Sequence, residues 1–221
     1  QYGNPKPRVF RLVEDEALIN RLGFNNYGAQ DVESRIKKNP QIGLLGINIG
    51  PNKDTQNRLE DYLIGIRTFY KLADYITINI SSPNTENLRN FHDQTRLDEL
   101  LKETDPEIEK ISDVLLSNNI EAVIISNTSN ATREKLKNIQ KHQKGGLSGK
   151  PIEDKSNLLI SKFFNILKGK IKIIGVGGVD SGLSAYNKFL SGANLVQLYT
   201  GMVYKGPNIV NLIKNDLTEL L

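Results

Sequence analysis

Short apolar, β-branched segments alternate along this sequence with longer segments in which apolar residues recur at helical spacing. The apolar segments predict strands at 42–49, 75–80, 122–126, 171–176 and 195–199. The amphipathic segments predict helices at 58–72, 96–102, 106–118, 132–140, 155–167, 182–190 and 207–220. This alternation is typical of α/β proteins with a parallel sheet.

The N-terminal part of the chain does not follow this alternation. Glycine, proline and asparagine predict turn-rich loops at 3–8 and 23–26, with a short helix at 14–21 between them. The five predicted strands are fewer than the eight of a closed β/α barrel, and two predicted helices meet around 102–104 with no strand between them. We therefore expect one domain over 1–221 that is incomplete at its N-terminus and near 102–104.

Composition and charge narrow the functions open to the chain. Its 221 residues are 38% hydrophobic and 24% charged, which is enough for one substantial core. The absence of cysteine excludes disulfides, thiolate metal sites and cysteine nucleophiles, and neither His92 nor His142 has a partner at metal-ligand spacing. A net charge of +4 is spread along the chain without the pattern typical of nucleic-acid binding. From the histidine spacing and the charge distribution we expect no bound metal and no nucleic acid. No apolar run is long enough to span a bilayer, so we also expect a soluble chain.

The strand predicted at 75–80 leads into the motif Asn79-Ile80-Ser81-Ser82-Pro83-Asn84-Thr85. In a β/α barrel the carboxyl ends of the strands carry the chemistry. An asparagine amide both donates and accepts hydrogen bonds, which suits a ring whose edge alternates C=O and N–H. A serine beside such a ring can take a proton from it. On this motif alone, a polar turn and a binding site are equally good interpretations.

Further polar or glycine-rich motifs occur at the other predicted strand ends. Asn48 closes the first strand, and Ser126-Asn127-Thr128 follows the third. Gly177-Gly178 and Tyr199-Thr200 follow the last two strands, where barrels often bind phosphate through backbone N–H groups. The glycine-rich segment 145–149 is predicted to be a loop that closes over a ligand.

Taken in order, these motifs give the chain a specific resemblance. It resembles the dihydroorotate dehydrogenases of the flavin-dependent, quinone-linked class. The matching stretches are 3–8, 20–26, 46–53, 79–85, 126–128, 145–151, 174–180 and 198–206. The resemblance implies an FMN-containing (β/α)₈ TIM barrel that oxidises dihydroorotate to orotate in pyrimidine biosynthesis. It also implies a quinone electron acceptor and peripheral membrane association through a segment that is not in this chain. The membrane would be the cytoplasmic face of a bacterial inner membrane, or the mitochondrial inner membrane in a eukaryote.

The resemblance also assigns roles to individual residues. Ser82 matches the catalytic base, with Thr85 and a water expected to relay its proton and Phe24 to screen it; the soluble class has cysteine at this base. The substrate-binding positions are Asn20, Arg21, Leu22, Gly23, Phe24, Asn79, Asn84, Asn127 and Thr128. The FMN-binding positions are Asn48, Asn79, Ser126, Gly149, Gly178, Tyr199 and Thr200. Many family members carry threonine at Ser126, and serine keeps the hydroxyl.

Two features of the family have no counterpart in the sequence: the first barrel strands, with a flavin loop and a substrate-contacting lysine, and a flavin-contacting lysine near 102–104. Either these segments lie outside this chain or the protein lacks them. We expect the former, because a barrel without three strands would expose sheet edges. A related FMN barrel acting on another pyrimidine, or a flavin-free remnant without catalysis, are the alternative functions. Activity on a panel of pyrimidines would distinguish the first alternative from dihydroorotate oxidation. The colour of the purified protein would distinguish a flavoprotein from the flavin-free remnant.

Overall fold

The computed structural model describes residues 2–39, 42–52, 54–80, 106–118, 120–130 and 133–220. The strands are β1 Val9–Leu12, β2 Ala17–Asn20, β3 Gly46–Ile49, β4 Tyr75–Ile78, β5 Ala122–Ile125, β6 Gly146–Gly149, β7 Lys172–Val176 and β8 Leu195–Gln197. The α-helices are α1 Ala29–Lys38, α2 Arg58–Phe69, α3 Pro106–Ser117, α4 Glu153–Leu167, α5 Gly182–Leu190, α6 Thr200–Lys205 and α7 Ile209–Leu220. Short 3₁₀ turns occupy Val13–Asp15, Ile139–His142 and Lys150–Ile152.

The chain divides into two compact units. The first unit comprises residues 1–8 and 21–91, and the second comprises residues 9–20 and 92–221. In the first unit β3 and β4 pair in parallel, and Asn48 lies opposite Thr77. Helix α2 packs on this pair closely enough that a Cβ added to Gly65 would lie 2.6 Å from Cγ2 of Ile49. The β3–β4 pair therefore buries Ile49 on the face that α2 covers.

The second unit contains two three-stranded sheets. One is parallel, in the order β5-β7-β8, and its buried residues include Ile125 and Ile173, which pack with Ile160 of α4. The other is antiparallel, in the order β1-β2-β6, with Leu18 of β2 opposite Ser148 of β6. A second apolar cluster, which includes Leu12, lies on this antiparallel sheet.

The sequence pattern identified the parallel strands correctly. All five predicted strands are present as β3, β4, β5, β7 and β8, each shorter than its predicted span. Five predicted helices are also present. The helices α2, α3, α4, α5 and α7 correspond to those predicted at 58–72, 106–118, 155–167, 182–190 and 207–220. The helix predicted at 96–102 lies outside the described residues. The pattern missed α1 and α6.

Three local predictions were wrong. The segment 14–21 is a 3₁₀ turn followed by β2, because Ala17, Leu18 and Ile19 are buried between two neighbouring strands. The segment 145–149 is mostly strand β6 rather than a loop that closes over a ligand, because β2 pairs with it. In the segment 132–140, the described residues 133–140 form turns, because the Asp15 carboxylate accepts the N–H groups of Lys137 and Asn138 at 2.8 and 3.0 Å.

Helix α5 carries a lysine on its buried face. The side chain of Lys188 is fully buried, with a relative exposure of 0%. Its Nζ donates to Oδ1 of Asn157 at 2.6 Å and to the backbone oxygen of Glu153 at 3.5 Å. Burial lowers the pKa of Lys188 to about 8, although the carboxylates of Glu153 and Asp154 act in the opposite direction.

The lowered pKa of Lys188 predicts a pH-dependent stability. Between pH 8 and 10.5 the folded lysine is neutral while the unfolded lysine is still charged, so folding releases a proton and higher pH favours the folded state. Relative to Lys188→Met, the wild-type free energy of unfolding should rise across this range by up to about 3 kcal/mol. Urea unfolding at several pH values measures this difference, and parallel pH profiles for the two proteins would contradict it.

Candidate active site

The predicted base and two of its neighbours cannot be placed by the structure. Ser82, Asn84 and Thr85 lie outside the described residues, so their roles stay predictions. The other predicted site residues are described. Those in the first unit are Arg21, Leu22, Gly23, Phe24, Asn48 and Asn79. Those in the second unit are Asn20, Ser126, Asn127, Thr128, Gly149, Gly178, Tyr199 and Thr200.

Asn48 and Asn79 lie on one face of the β3–β4 pair. Because Ile49 packs against α2 and neighbouring side chains alternate along a strand, Asn48 and its partner Thr77 point away from this helix. Asn79 follows Thr77 by two residues, and its N–H donates to the Ile49 oxygen at 2.8 Å, which continues the pairing. The Tyr62 hydroxyl donates to the Asn79 oxygen at 2.8 Å, and burial raises the pKa of this phenol.

The Phe24 ring covers the backbone just after β3. A Cβ added to Gly50 would lie 3.1 Å from Cζ of the Phe24 ring, so any larger residue at this position would displace the ring. The φ angle of Phe24 is +54° and that of the preceding Gly23 is +69°. Glycine and asparagine adopt such positive φ angles most readily. Asn26 supports it, because its Nδ2 donates to the Phe24 oxygen at 2.8 Å. Phe24 is thus held beside the end of the strand that carries Asn48.

The loop Gly3-Asn4-Pro5-Lys6-Pro7-Arg8 supports the segment that precedes Phe24. The Asn4 N–H and side-chain amide donate to the oxygens of Leu22 and Arg21 at 3.0 and 2.9 Å. The Arg21 guanidinium donates to the Pro7 oxygen at 2.8 Å. Arg8 donates to the oxygens of Tyr2 and Asn4 at 2.9 and 3.0 Å, which closes the loop on itself. Sequence reasoning identified this loop only as a matching stretch and missed its role as a support.

In the second unit, Asn20 ends β2 opposite Gly146 of β6. The turn before β6 approaches it closely, because a Cβ on Gly145 would lie 2.3 Å from the Asn20 oxygen. Arg133 holds this turn by donating to the backbone oxygens of Lys141, Gln143 and Gly145, and burial lowers the pKa of its guanidinium. The position of Asn20 therefore depends on an arginine that sequence reasoning did not identify.

The segment after β5 contains a buried hydroxyl, that of Thr128, whose hydrogen bonding is unusual. Asn127 accepts the Thr128 N–H through Oδ1 at 2.8 Å, and Ser129 exchanges two backbone hydrogen bonds with Leu147 of β6. Within the part of the chain that the structure describes, Oγ1 of Thr128 is buried and forms no hydrogen bond. A buried hydroxyl of this kind usually finds a partner, and a bound ligand would provide one. This observation favours Thr128 as a ligand-binding residue.

Two predicted flavin-binding glycines lie where no side chain fits. Gly178 has a φ of +81°, and a Cβ there would lie 2.5 Å from Cβ and 2.6 Å from Cα of Glu153 at the start of α4. Gly149 has a φ of +100°, and its Cβ would lie 2.4 Å from the Glu16 oxygen and 2.9 Å from Cγ2 of Thr200. Both glycines are buried, and their positive φ values and close contacts require glycine at these two positions.

Thr200 is held by a short chain of hydroxyl groups. It is nearly buried, at 5% exposure, and its Oγ1 donates to Oγ of Ser148 at 2.8 Å. Ser148 in turn donates to the Leu18 oxygen at 3.4 Å. Tyr199, by contrast, is 66% exposed. Strand β6 thereby fixes the first residue of α6 beside Gly149.

Comparison with known proteins identifies the family of this chain. The family model described as "Dihydroorotate dehydrogenase" matches residues 1–221. The chain belongs to the dihydroorotate dehydrogenase family. A relative named "Dihydroorotate dehydrogenase (quinone)" from Bartonella tribocorum is 41% identical over 248 residues, covering 100% of this chain and 69% of its own length. A relative of the same name from Idiomarina loihiensis is 43% identical over 245 residues, covering 98% of this chain and 73% of its own length.

Solved structures of the family give the same result for the fold. The crystal structure of DHODH from Eimeria tenella in complex with ferulenol has a TM-score of 0.90 at 34% identity, covering 100% of this chain and 71% of that one. The ligand-free form from the same organism also has a TM-score of 0.90, at 35% identity over 100% of this chain and 74% of that one. The predicted (β/α)₈ barrel class is therefore confirmed.

The dihydroorotate dehydrogenase relatives also contain residues for which this chain has no counterpart. The alignment with the Bartonella protein runs over 248 positions and covers all of this 221-residue chain. Some positions of that relative thus fall between residues that are adjacent here. Whether they fall near 102–104, and whether 1–221 is a single domain, stay predictions. None of the described helices is long and apolar enough to cross a membrane.

The contact between Gly178 and α4 predicts an unequal cost of two glycine substitutions. Gly169 has a φ of +76° with nothing within 4 Å of its added Cβ, so Gly169→Ala costs only the left-handed backbone, about 1 kcal/mol. Gly178→Ala has the same backbone cost and also a clash, which adds about 1–3 kcal/mol. Urea unfolding of both variants measures the difference. Equal losses would show that the Gly178 turn can move away from Glu153 without strain.

Proposed function

We propose that this chain catalyses the flavin-dependent oxidation of dihydroorotate to orotate in pyrimidine biosynthesis, with a quinone as electron acceptor. The observation that carries the proposal is the family match over residues 1–221, which includes every strand end that bears a predicted site residue. The names of the relatives, dihydroorotate dehydrogenase (quinone), support both the substrate and the acceptor.

FMN is the flavin that we propose. Gly178, Tyr199 and Thr200 would hold its phosphate, because they follow β7 and β8, and the loops after the last two strands of a β/α barrel often bind phosphate. Gly149 would add to this site, since it lies against Thr200. The rest of the flavin would be held by Asn48, Asn79 and Ser126. When bound, FMN supplies the chemistry of accepting a hydride from a substrate carbon.

The protein's own part in the reaction is to remove a proton and to exclude water. Oxidation of the dihydropyrimidine ring removes a proton from one carbon and a hydride from its neighbour. We propose Ser82 as the base for the proton, with Thr85 passing it outward through a water. Phe24 would screen this path, and its fixed backbone and its contact with Gly50 support that role.

Asparagine amides and one hydroxyl would hold the substrate. The ring edge of dihydroorotate alternates C=O and N–H, and an amide pairs with both. Asn20, Asn79, Asn84 and Asn127 are the proposed amides. Thr128 would donate its hydroxyl, which has no partner among the described residues, and Arg21, Leu22 and Gly23 are further proposed substrate contacts.

The proposed quinone acceptor has a consequence for the cellular location of the protein. Quinones of electron transport reside in membranes, so the proposed acceptor implies peripheral association with a membrane. We propose that a segment outside this chain makes that contact, on the cytoplasmic face of a bacterial inner membrane or at the mitochondrial inner membrane. Vesicle flotation of the full-length protein would measure it.

The first test of the function is the visible spectrum of the purified protein with FMN. Anaerobic dihydroorotate should bleach the flavin bands, and Ser82→Ala should slow bleaching by about 10²–10⁴-fold because the base is lost. Ser117→Ala, which changes an exposed serine of α3, should bleach at the wild-type rate. A protein that takes up no flavin would overturn the proposed function. Bands that dihydroorotate leaves unchanged would overturn the substrate, and rapid bleaching of Ser82→Ala would overturn the base.

The second test uses the unpartnered hydroxyl of Thr128. Thr128→Val should leave the free energy of unfolding unchanged or slightly higher, because the hydroxyl has no partner among the described residues. The same change should weaken orotate binding by about tenfold, since one hydrogen bond to the ligand is lost. Thr218→Val on α7, which removes only a bond to the Lys214 oxygen, is the control. Isothermal titration measures the affinity, and unchanged orotate binding would exclude the role of Thr128.

A further inference from the structure

Helix α5 exposes two leucines and buries a lysine, the reverse of the usual distribution of residue types. Leu183 and Leu190 of this helix are 60% and 68% exposed, while Lys188 is fully buried. Burying an ammonium group is costly, and lysine is rarely found inside a protein unless its charge is paired or hydrogen-bonded. The position of Lys188 therefore calls for an explanation other than core packing.

The strand beneath Lys188 leaves room for its stem. A Cβ added to Gly175 of β7 would lie 3.1 Å from Cδ of Lys188, and 3.0 Å from Cδ1 of Ile160. Gly175 therefore leaves space for the lysine stem to run toward α4 over one face of β7. The ammonium donates to Asn157 and Glu153, which lie in the first two turns of α4.

The glycine turn after β7, formed by Gly177 and Gly178, packs against the first turn of α4. Gly178 lies against Cβ, Cα and N of Glu153, and Gly177 lies 3.2 Å from Cβ of Ser156, measured from its added Cβ. The Ser156 hydroxyl donates to the Val176 oxygen at 2.7 Å. The side chain of Glu153 accepts from Asn187, the neighbour of Lys188, at 3.4 Å. Glu153 thus contacts α5 on one side and the glycine turn on the other.

We propose that Lys188 is a positioning residue for the flavin phosphate. Its ammonium fixes the start of α4, and the start of α4 fixes the backbone of Gly177 and Gly178. Lys188 acts through Glu153 and Asn157 and requires no contact with the ligand. The inference rests on the proposed binding of FMN and assigns to it a residue outside the predicted site.

Binding of FMN and of riboflavin to the flavin-free full-length protein tests this role. The two flavins differ only in the phosphate, so their affinity ratio reports the phosphate site alone. Lys188→Met should weaken FMN binding by roughly tenfold, as a small displacement of a binding turn does, and leave riboflavin binding unchanged. Lys214→Met, at an exposed position of α7, should leave both affinities unchanged. Quenching of flavin fluorescence measures each affinity.

A second variant keeps the test decisive if Lys188→Met does not fold. Asn157→Ala removes the 2.6 Å acceptor at a partly exposed position and should lower the FMN-to-riboflavin affinity ratio in the same direction, by several fold. In the double variant the two losses should not add, because both break one link. An unchanged ratio in the single variants would overturn the role of Lys188. Failure of the wild type to bind FMN would overturn the proposed function instead.

Discussion

One backbone oxygen joins the parts of the candidate flavin site in the second unit. The Val176 oxygen accepts the Ser126 N–H at 3.2 Å, the Ser126 hydroxyl at 3.3 Å and the Ser156 hydroxyl at 2.7 Å. A carbonyl oxygen has two lone pairs, so three donors on one acceptor leave little freedom for any of them. The ends of β5 and β7 and the first turn of α4 are thereby tied together. Because Gly177 follows Val176 directly, the glycine turn starts from a fixed point.

The parallel strands were predictable because each is a short local segment rich in β-branched and other apolar residues. The antiparallel sheet was not, since it pairs residues as distant as Leu18 and Ser148. Its third strand, Gly146–Gly149, also has the composition of a turn, so only its pairing with β2 makes it a strand. Helix α1, Ala29–Lys38, escaped prediction for another reason, because it is mostly polar and its few apolar residues are only partly buried.

The candidate site also has a part that was predictable from the sequence and a part that was not. Strand alternation and the family resemblance place Asn48 and Asn79 together, and the structure puts both on one face of the β3–β4 pair. The groups that hold the site in place left no such signal. Asn4 acts on backbone oxygens, which every residue possesses, and Glu153 contacts Gly178 through its Cα and Cβ. A sequence motif records the residues that meet a ligand far better than it records their supports.

The reversed pattern of α5 has a consequence for protein engineering. A method that selects residues by burial would place leucine at 188 and polar residues at 183 and 190. Such changes commonly raise thermal stability, since replacing a buried ion by an apolar residue is often neutral or favourable. Variants chosen by heat resistance would therefore drift away from the natural residue at Lys188 without any warning from the unfolding curve. In this protein, heat resistance is a poor guide to cofactor retention.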